Sequence, residues 1–577
     1  MQWNDQQQSV FLDRYALKDP EGNVVEHQPQ QMWRRVAHTM ADGLEEENLY
    51  YNALEGFKFV PSGRVLAGAG AGRRSTFYNC FVIDIKSRDP GCGRDSRTAI
   101  TETISRMVQI TARGGGVGLN WSVLRPRGAY IRGVHGHSSG AIGWMRGADA
   151  MADQVRQGGS RTAALMFILE AWHPDIFDFV NQTERFSRAN FSVAVSNKFM
   201  QAVIEDQEWV LQFPDTQHPA YDAQWDGNLE RWLARGYPTV EHGRYPAREI
   251  WTHICDSAYR IGNPGLVFLD RCNEMMNTAY FEEAICTNPC GEQPLPASGC
   301  CNLGAVNLAA MWDGQDIDHD LLYATVTTAV RFLDKVIDKS AEIDPEIQQV
   351  QDNARRIGLG TMGLADLLIL KRLRYDSGEA LVFIADLFAE IRDVAYQASV
   401  DLAREKGAAP MFVASPFLDS PFILSLPTKI REGIKAHGIR NLQILTQAPT
   451  GTTGIIAGAS SGVEPVFSRR FLRKDATGEH MVTHPLFEGR GGPHLVTALE
   501  IAPEDHLAVQ AVIQKYVDSS ISKTINLPRD ASADAISRAY VMAYRLKCKG
   551  ITVYRNGSLE DVLTEMAQCE CATCSLR

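Results

Sequence analysis

The sequence predicts an α/β protein, and three observations predict it. Glycine-rich segments punctuate the chain at Gly63–Gly72, Gly114–Gly118, Gly158-Gly159 and Gly451–Gly462. Helix-patterned stretches lie between them. Short apolar runs such as Phe191–Val195 read as strands. This alternation is the pattern of helices laid on a sheet, with the loops left for function.

The elements follow in order. Residues 1–28 are Gln-rich and polar and read as a loose N-terminal tail. Residues 30–56 read as helix, because Met32, Val36, Met40 and Leu44 recur every four residues. Residues 98–112 form a second helix, with Ile100, Ile104, Met107 and Thr111 on one face and Asp95 or Ser96 as its cap. A tight glycine turn at 114–118 leads into a strand at Leu119–Val123. No internal repeat or linker interrupts residues 29–560, which are read as one large domain. Residues 561–577 read as a flexible tail.

Composition narrows the function. The 577 residues are 45% hydrophobic and 22% charged, as in a soluble globular protein. A net charge of -11 argues against a nucleic-acid polymer as partner, although a single nucleotide needs only a local anion site. The polar start Met1-Gln2-Trp3-Asn4-Asp5 lacks an apolar signal core, and no run approaches the ~20 apolar residues of a membrane helix. A cytoplasmic location without membrane contact is expected. Twelve cysteines there read as reduced, catalytic or metal-binding rather than as a disulfide framework.

The chemistry concentrates in Asn288-Pro289-Cys290-Gly291-Glu292, followed by Cys300-Cys301-Asn302. If the stretch is extended, Asn288, Cys290 and Glu292 share a face. Pro289 and Gly291 favour a constrained loop instead. Either way a thiol, a carboxamide and a carboxylate can share one pocket. A buried apolar cysteine is the plain alternative. Zinc is disfavoured, because Cys290 and Cys300 are too far apart for a knuckle and no His is near, so no metal site is predicted.

Other motifs stay open from the residues alone. Ala448-Pro449-Thr450-Gly451-Thr452-Thr453-Gly454 is either a phosphate-binding loop at a helix start or a capped helix after a Pro turn. Gln157-Gly158-Gly159-Ser160-Arg161-Thr162 suits a mobile ligand-reading loop. Cys80 precedes the apolar run Phe81-Val82-Ile83 and alone would be a core cysteine. Cys571 and Cys574 have the spacing of a redox dithiol, or of half a zinc site with Cys569.

Together these segments resemble the ribonucleotide reductases, most closely the dimeric adenosylcobalamin-dependent class II enzymes. The resemblance runs in order through Phe77-Tyr78-Asn79-Cys80, Gly114–Arg127, Gln157–Arg161, Asn288–Glu292, Cys301-Asn302-Leu303-Gly304, Pro449–Gly454, Ser461-Gly462-Val463-Glu464-Pro465 and Lys549–Arg555, covering residues 30–560. It implies a ten-stranded α/β barrel of two parallel five-stranded halves, threaded by a finger loop. Cys290 would be the thiyl radical at the finger tip, Glu292 the base for the 3′-hydroxyl, and Asn288 a hydrogen-bonding partner of the sugar. Cys80 and Cys301 would be the reducing pair. Cys301 is chosen over Cys300 because Cys-Asn-Leu-Gly is the family's string. Asn79, Thr450, Gly451, Thr452 and Thr453, with Ser62, would hold the substrate.

The resemblance also implies an effector site at Asp95, Arg125, Gln157 and Arg161, where a deoxynucleotide or ATP bound between subunits of a homodimer would choose the base reduced. Lys86–Arg94, containing Cys92, looks like an insertion beside it. The N-terminal stretch reads as too short for the family's activity-control domain, so specificity control without an overall on/off switch is expected. Cys571 and Cys574 would shuttle electrons from thioredoxin or glutaredoxin. Class I large subunits carry two adjacent tyrosines near the C-terminus. Here Thr552-Val553-Tyr554-Arg555 has one, which favours adenosylcobalamin as radical source. A class I large subunit with a radical-generating partner and a non-catalytic nucleotide-binding regulator are the alternatives. Ribonucleoside diphosphates are favoured as substrates by likeness to the dimeric members.

Overall fold

Gly299–Asn307 is buried along all nine residues, as a strand covered on both faces must be. It organises the sheet. The computed structural model describes residues 3–72, 75–157, 161–341, 343–475, 478–488, 491–558 and 563–565. The main sheet has ten strands: β1 (Phe59–Pro61), β2 (Cys80–Val82), β3 (Gly116–Asn120), β4 (Leu165–Glu170), β5 (Ala189–Ala194), β6 (Gly265–Val267), β7 (Gly299–Asn307), β8 (Ile357–Met362), β9 (Thr524–Leu527) and β10 (Gly550–Arg555).

Strands β2 to β6 form one parallel half, joined in chain order. The second half pairs β7 with β8 and β9 with β10, both parallel. Segment 443–447 lies between β8 and β9 and makes single parallel bridges, Leu359 to Leu445 and Gln447 to Ile521. No continuous ladder closes the ring there. The halves meet at two antiparallel seams, β2 with β7 and β6 with β10.

Two apolar regions follow from strand alternation. Helices outside the sheet enclose the large outer core. A smaller interior cluster holds Cys80, Val82, Met166, Ile168, Ala194, Val267, Cys301 and Leu303. Cys272 joins it, and Cys286 and Leu295, from a hairpin threaded through the interior, complete it. The expected finger loop is this hairpin.

Three expectations change. The stretch 1–28 is not a loose tail: Asn4 caps a helix at Asp5–Arg14 that buries Val10 and Phe11. The helix expected over 30–56 is two helices, Pro29–Met40 and Leu44–Leu54. Between them Gly43 is extended, the Asp42 N–H donates to Glu46, and the Asp42 carboxylate pairs with Lys335 and Lys339. The strand expected at Leu119–Val123 begins three residues earlier, inside the glycine run. The helix expected at 98–112 spans Arg97–Ala112, capped by Ser96, whose hydroxyl accepts from the Ala99 N–H. Among the described residues no helix is long and apolar enough to cross a membrane.

Candidate active site

The hairpin strands Cys286-Thr287 and Pro294-Leu295 carry the Asn288–Glu292 turn into the barrel. Its shape is set locally. Gly291 has φ 82°, a backbone that side chains resist, and its N–H closes the turn onto the Asn288 carbonyl at 3.0 Å. The approach to β3 is so close that a Cβ at Gly118 would lie 1.9 Å from the Thr287 carbonyl oxygen. This glycine of the 114–118 run makes room for the finger.

Both halves hold the tip. From the first, Asn120 Nδ2 donates to the Ile285 carbonyl and Asn190 Nδ2 to that of Pro289, each at 3.0 Å. From the second, the Glu292 carbonyl accepts from Thr446 Oγ1 (2.8 Å), Ser519 Oγ (3.1 Å) and the Ser520 N–H (3.0 Å). A turn fastened from two sides is a preorganised support for chemistry.

The predicted residues converge there. Asn288 Nδ2 donates to Cys80 Sγ at 3.2 Å, and Cys80 Sγ lies 3.6 Å from Glu292 Oε1. Cys301 is the register partner of Cys80 across the β2–β7 seam, and both thiols are free. Alternation separates the adjacent cysteines: Cys301 faces the interior with Cys80, and Cys300 is buried in the outer core. Glu292 Oε2 is buried without a hydrogen-bond partner, as is Ser62 Oγ.

Burial sets the protonation of the site. Desolvation pushes the Cys80, Cys290 and Cys301 thiols above their ordinary value, with Glu292 adding to each by charge. They are S–H groups near neutral pH. Desolvation also raises the Glu292 carboxyl, against hydrogen bonds from Asn288 and Cys80 that lower it. Cys290 differs from the other two thiols because its side chain is exposed.

A cavity of about 460 Å³ is lined by Ser62, Asn79, Thr450, Gly451, Thr452 and Thr453, the residues expected to hold a substrate. Arg14, Tyr15 and Arg64 also line it, and sequence reasoning missed all three. Tyr15 Oη lies 2.5 Å from Thr452 Oγ1. The Val10-Phe11 pair and the Asn4–Gln7 capping box were the signal that this N-terminal stretch folds.

A family model described as the ribonucleotide reductase barrel domain matches residues 78–490 and 492–554, and one described as the ribonucleotide reductase all-alpha domain matches residues 2–74. The chain belongs to the ribonucleotide reductase family. Its curated relatives include the vitamin B12-dependent ribonucleoside-diphosphate reductase of Mycobacterium tuberculosis (strain CDC 1551 / Oshkosh), 34% identical over 96% of this chain and 79% of that one. The protein of the same name from Thermoplasma acidophilum is 36% identical over 89% of this chain and 65% of its own length. The ribonucleoside-diphosphate reductase subunit alpha of Chlamydia pneumoniae is 27% identical, over 89% of this chain and 55% of its own length.

The expected effector residues of this reductase are only partly brought together. Asp95 is held by Arg125 at 2.5 and 3.1 Å and by the Tyr221 hydroxyl at 2.7 Å. Tyr221 comes from the stretch between β5 and β6 and was not foreseen. Gln157 and Arg161 lie on two short paired strands, Arg156-Gln157 and Arg161-Thr162. The loop between them, and Cys571 and Cys574, lie outside the described residues.

Proposed function

We propose that this chain reduces ribonucleoside diphosphates to 2′-deoxyribonucleoside diphosphates by thiyl-radical chemistry, with adenosylcobalamin as radical source. The observation that carries the reading is the convergence of Asn288, Cys290, Glu292, Cys80 and Cys301 at one two-sided finger tip. The printed names of the M. tuberculosis and T. acidophilum relatives support the cofactor and the diphosphate.

The thiols fit the cofactor's role. A group that takes a hydrogen atom from sulfur needs direct approach, and of the three thiols only Cys290 is exposed. Bound adenosylcobalamin supplies, through homolysis of its cobalt–carbon bond, the radical that the side chains alone lack.

The chain's residues then divide the work. Cys290 S–H loses its hydrogen atom, and the thiyl takes the 3′ hydrogen of the ribose. Glu292, its pKa raised by burial, accepts the 3′-hydroxyl proton. Asn288 hydrogen-bonds the sugar. The 2′-hydroxyl leaves as water while Cys80 and Cys301 close a disulfide and supply two electrons. The 3′ hydrogen returns from Cys290. Register partners across antiparallel strands have Cα atoms about 4.5–5.5 Å apart, inside the range a disulfide spans. Thioredoxin or glutaredoxin, through Cys571 and Cys574, would restore the dithiol. A homodimer with a deoxynucleotide or ATP effector near Arg161 would set base choice.

The deciding experiment is anaerobic reduction of CDP and CTP by the purified chain with dithiothreitol, with and without adenosylcobalamin. Deoxycytidine product from CDP only with the cofactor is the expected result. No product, with nucleotide binding intact, would instead point to a missing radical-generating subunit or a regulator.

A further inference from the structure

The substrate cavity inverts the charge of the molecule around it. The protein carries a net charge of -11, yet the described residues lining this cavity include two arginines, Arg14 and Arg64, and no carboxylate. The two come from separate segments. Arg14 ends the helix Asp5–Arg14, and Arg64 lies in the helix Gly63–Gly68 that follows β1. Ser62, two residues before Arg64, is 9% exposed and leaves its Oγ without a partner.

Both cations are built into place. The Arg64 guanidinium lies against Gly114, where a Cβ would fall 2.5 Å from Nη1, so this glycine leaves the space the arginine fills. The Arg14 side chain is 18% exposed, and the Asp13 carboxylate stands 3.7 Å from its Nε. Beside it Tyr15, 1% exposed, fixes the helix end to the 450–453 loop through Thr452.

We propose that Arg14 and Arg64 form a cationic clamp for the phosphate groups of the substrate, so that the N-terminal helix is part of the nucleotide site. The proposal rests on the reductase reading and deepens it. Guanidinium groups present forked donors that match phosphate oxygens, and a cavity without acids lets them act on a polyanion. The Ser62 hydroxyl and the 450–453 loop add neutral donors to the same anion.

The test is calorimetric binding of CDP, cytidine and inorganic pyrophosphate to the full chain without cobalamin, for the wild type and for Arg14→Gln, Arg64→Gln, Arg14→Lys and Arg64→Lys. Each Gln variant should bind CDP and pyrophosphate about ten-fold or more weakly, the scale of a lost charged hydrogen bond. Cytidine affinity should hold, and the Lys variants should recover part of the loss. Equal weakening of CDP and cytidine would mark a structural role and overturn the clamp. So would Gln variants that bind CDP like the wild type. A wild type that binds no nucleoside diphosphate would overturn the substrate reading, and the clamp with it.

Discussion

Cys301 stands opposite Cys80 across the antiparallel seam that joins the two halves of the barrel, while its neighbour Cys300 faces the other way into the outer core. Strand alternation makes the two adjacent cysteines non-equivalent. Cys301→Ser should therefore abolish catalytic deoxynucleotide formation. Cys300→Ser should keep it and lose about 1–3 kcal/mol of stability from burying a hydroxyl. Product yield and urea denaturation of both variants check this; equal activity loss would end the assignment.

The exposed, protonated thiol of Cys290 leads to a second expectation. Cys290→Ser should remove turnover entirely while CDP affinity stays within about two-fold, because the finger is held by backbone carbonyls and not by this side chain. Turnover assays beside equilibrium binding decide it, and residual turnover would refute the thiyl role.

Much of this was legible in the chain, and the reason differs by element. Asn288–Glu292 is a short string in which proline and glycine shape the backbone themselves, so its turn was legible, whereas Thr450–Thr453 read equally as a capped helix and pointed to a substrate only through the resemblance. Tyr221 and Asp95 are 126 positions apart and meet only in the fold. Arg14 and Arg64 sit on ordinary helix patterns, and their shared cavity depends on how those helices dock. The string Cys-Asn-Leu-Gly singled out Cys301 by resemblance, and the register that pairs it with Cys80 supplies the physical reason, which the residues alone leave open.

Glu292 gives a pH signature. Its pKa is raised by burial, so the basic form appears only above the ordinary carboxylate range. The rate should rise with pH through that raised value, and Glu292→Gln should lower kcat by a factor of about 10²–10⁴ and erase the acid limb. A carboxyl raised by folding destabilises the folded state once pH exceeds its unfolded value. Glu292→Gln should therefore be more stable than the wild type at pH 8, with the gain fading toward pH 4. Thermal melting across pH reads the second effect independently of turnover.

The proposed relay through the C-terminal cysteines would separate two reductants. Dithiothreitol is small enough to reach the Cys80–Cys301 disulfide directly, whereas a thioredoxin-sized donor needs a relay. Cys571→Ser with Cys574→Ser should leave dithiothreitol-driven turnover within about two-fold and remove thioredoxin-driven turnover. Parallel assays with the two reductants check it; the same loss with both would dismiss the relay.

The last prediction concerns Asp95, whose side chain is 2% exposed and paired with Arg125. Removing the partner of a buried carboxylate leaves an uncompensated charge, so Arg125→Ala should cost about 3–5 kcal/mol. The Tyr221 hydroxyl offsets part of that, because it also donates to Asp95. Tyr221→Phe alone should cost less, about 1–3 kcal/mol. If the trio also shapes the effector site, Tyr221→Phe should keep the fold yet blur the dependence of base choice on added deoxynucleotides, as should Arg161→Ala. Substrate-competition assays with each effector would show it. A stability loss with intact effector response would make Asp95, Arg125 and Tyr221 a brace between two segments of the barrel wall, and leave effector reading to Gln157 and Arg161.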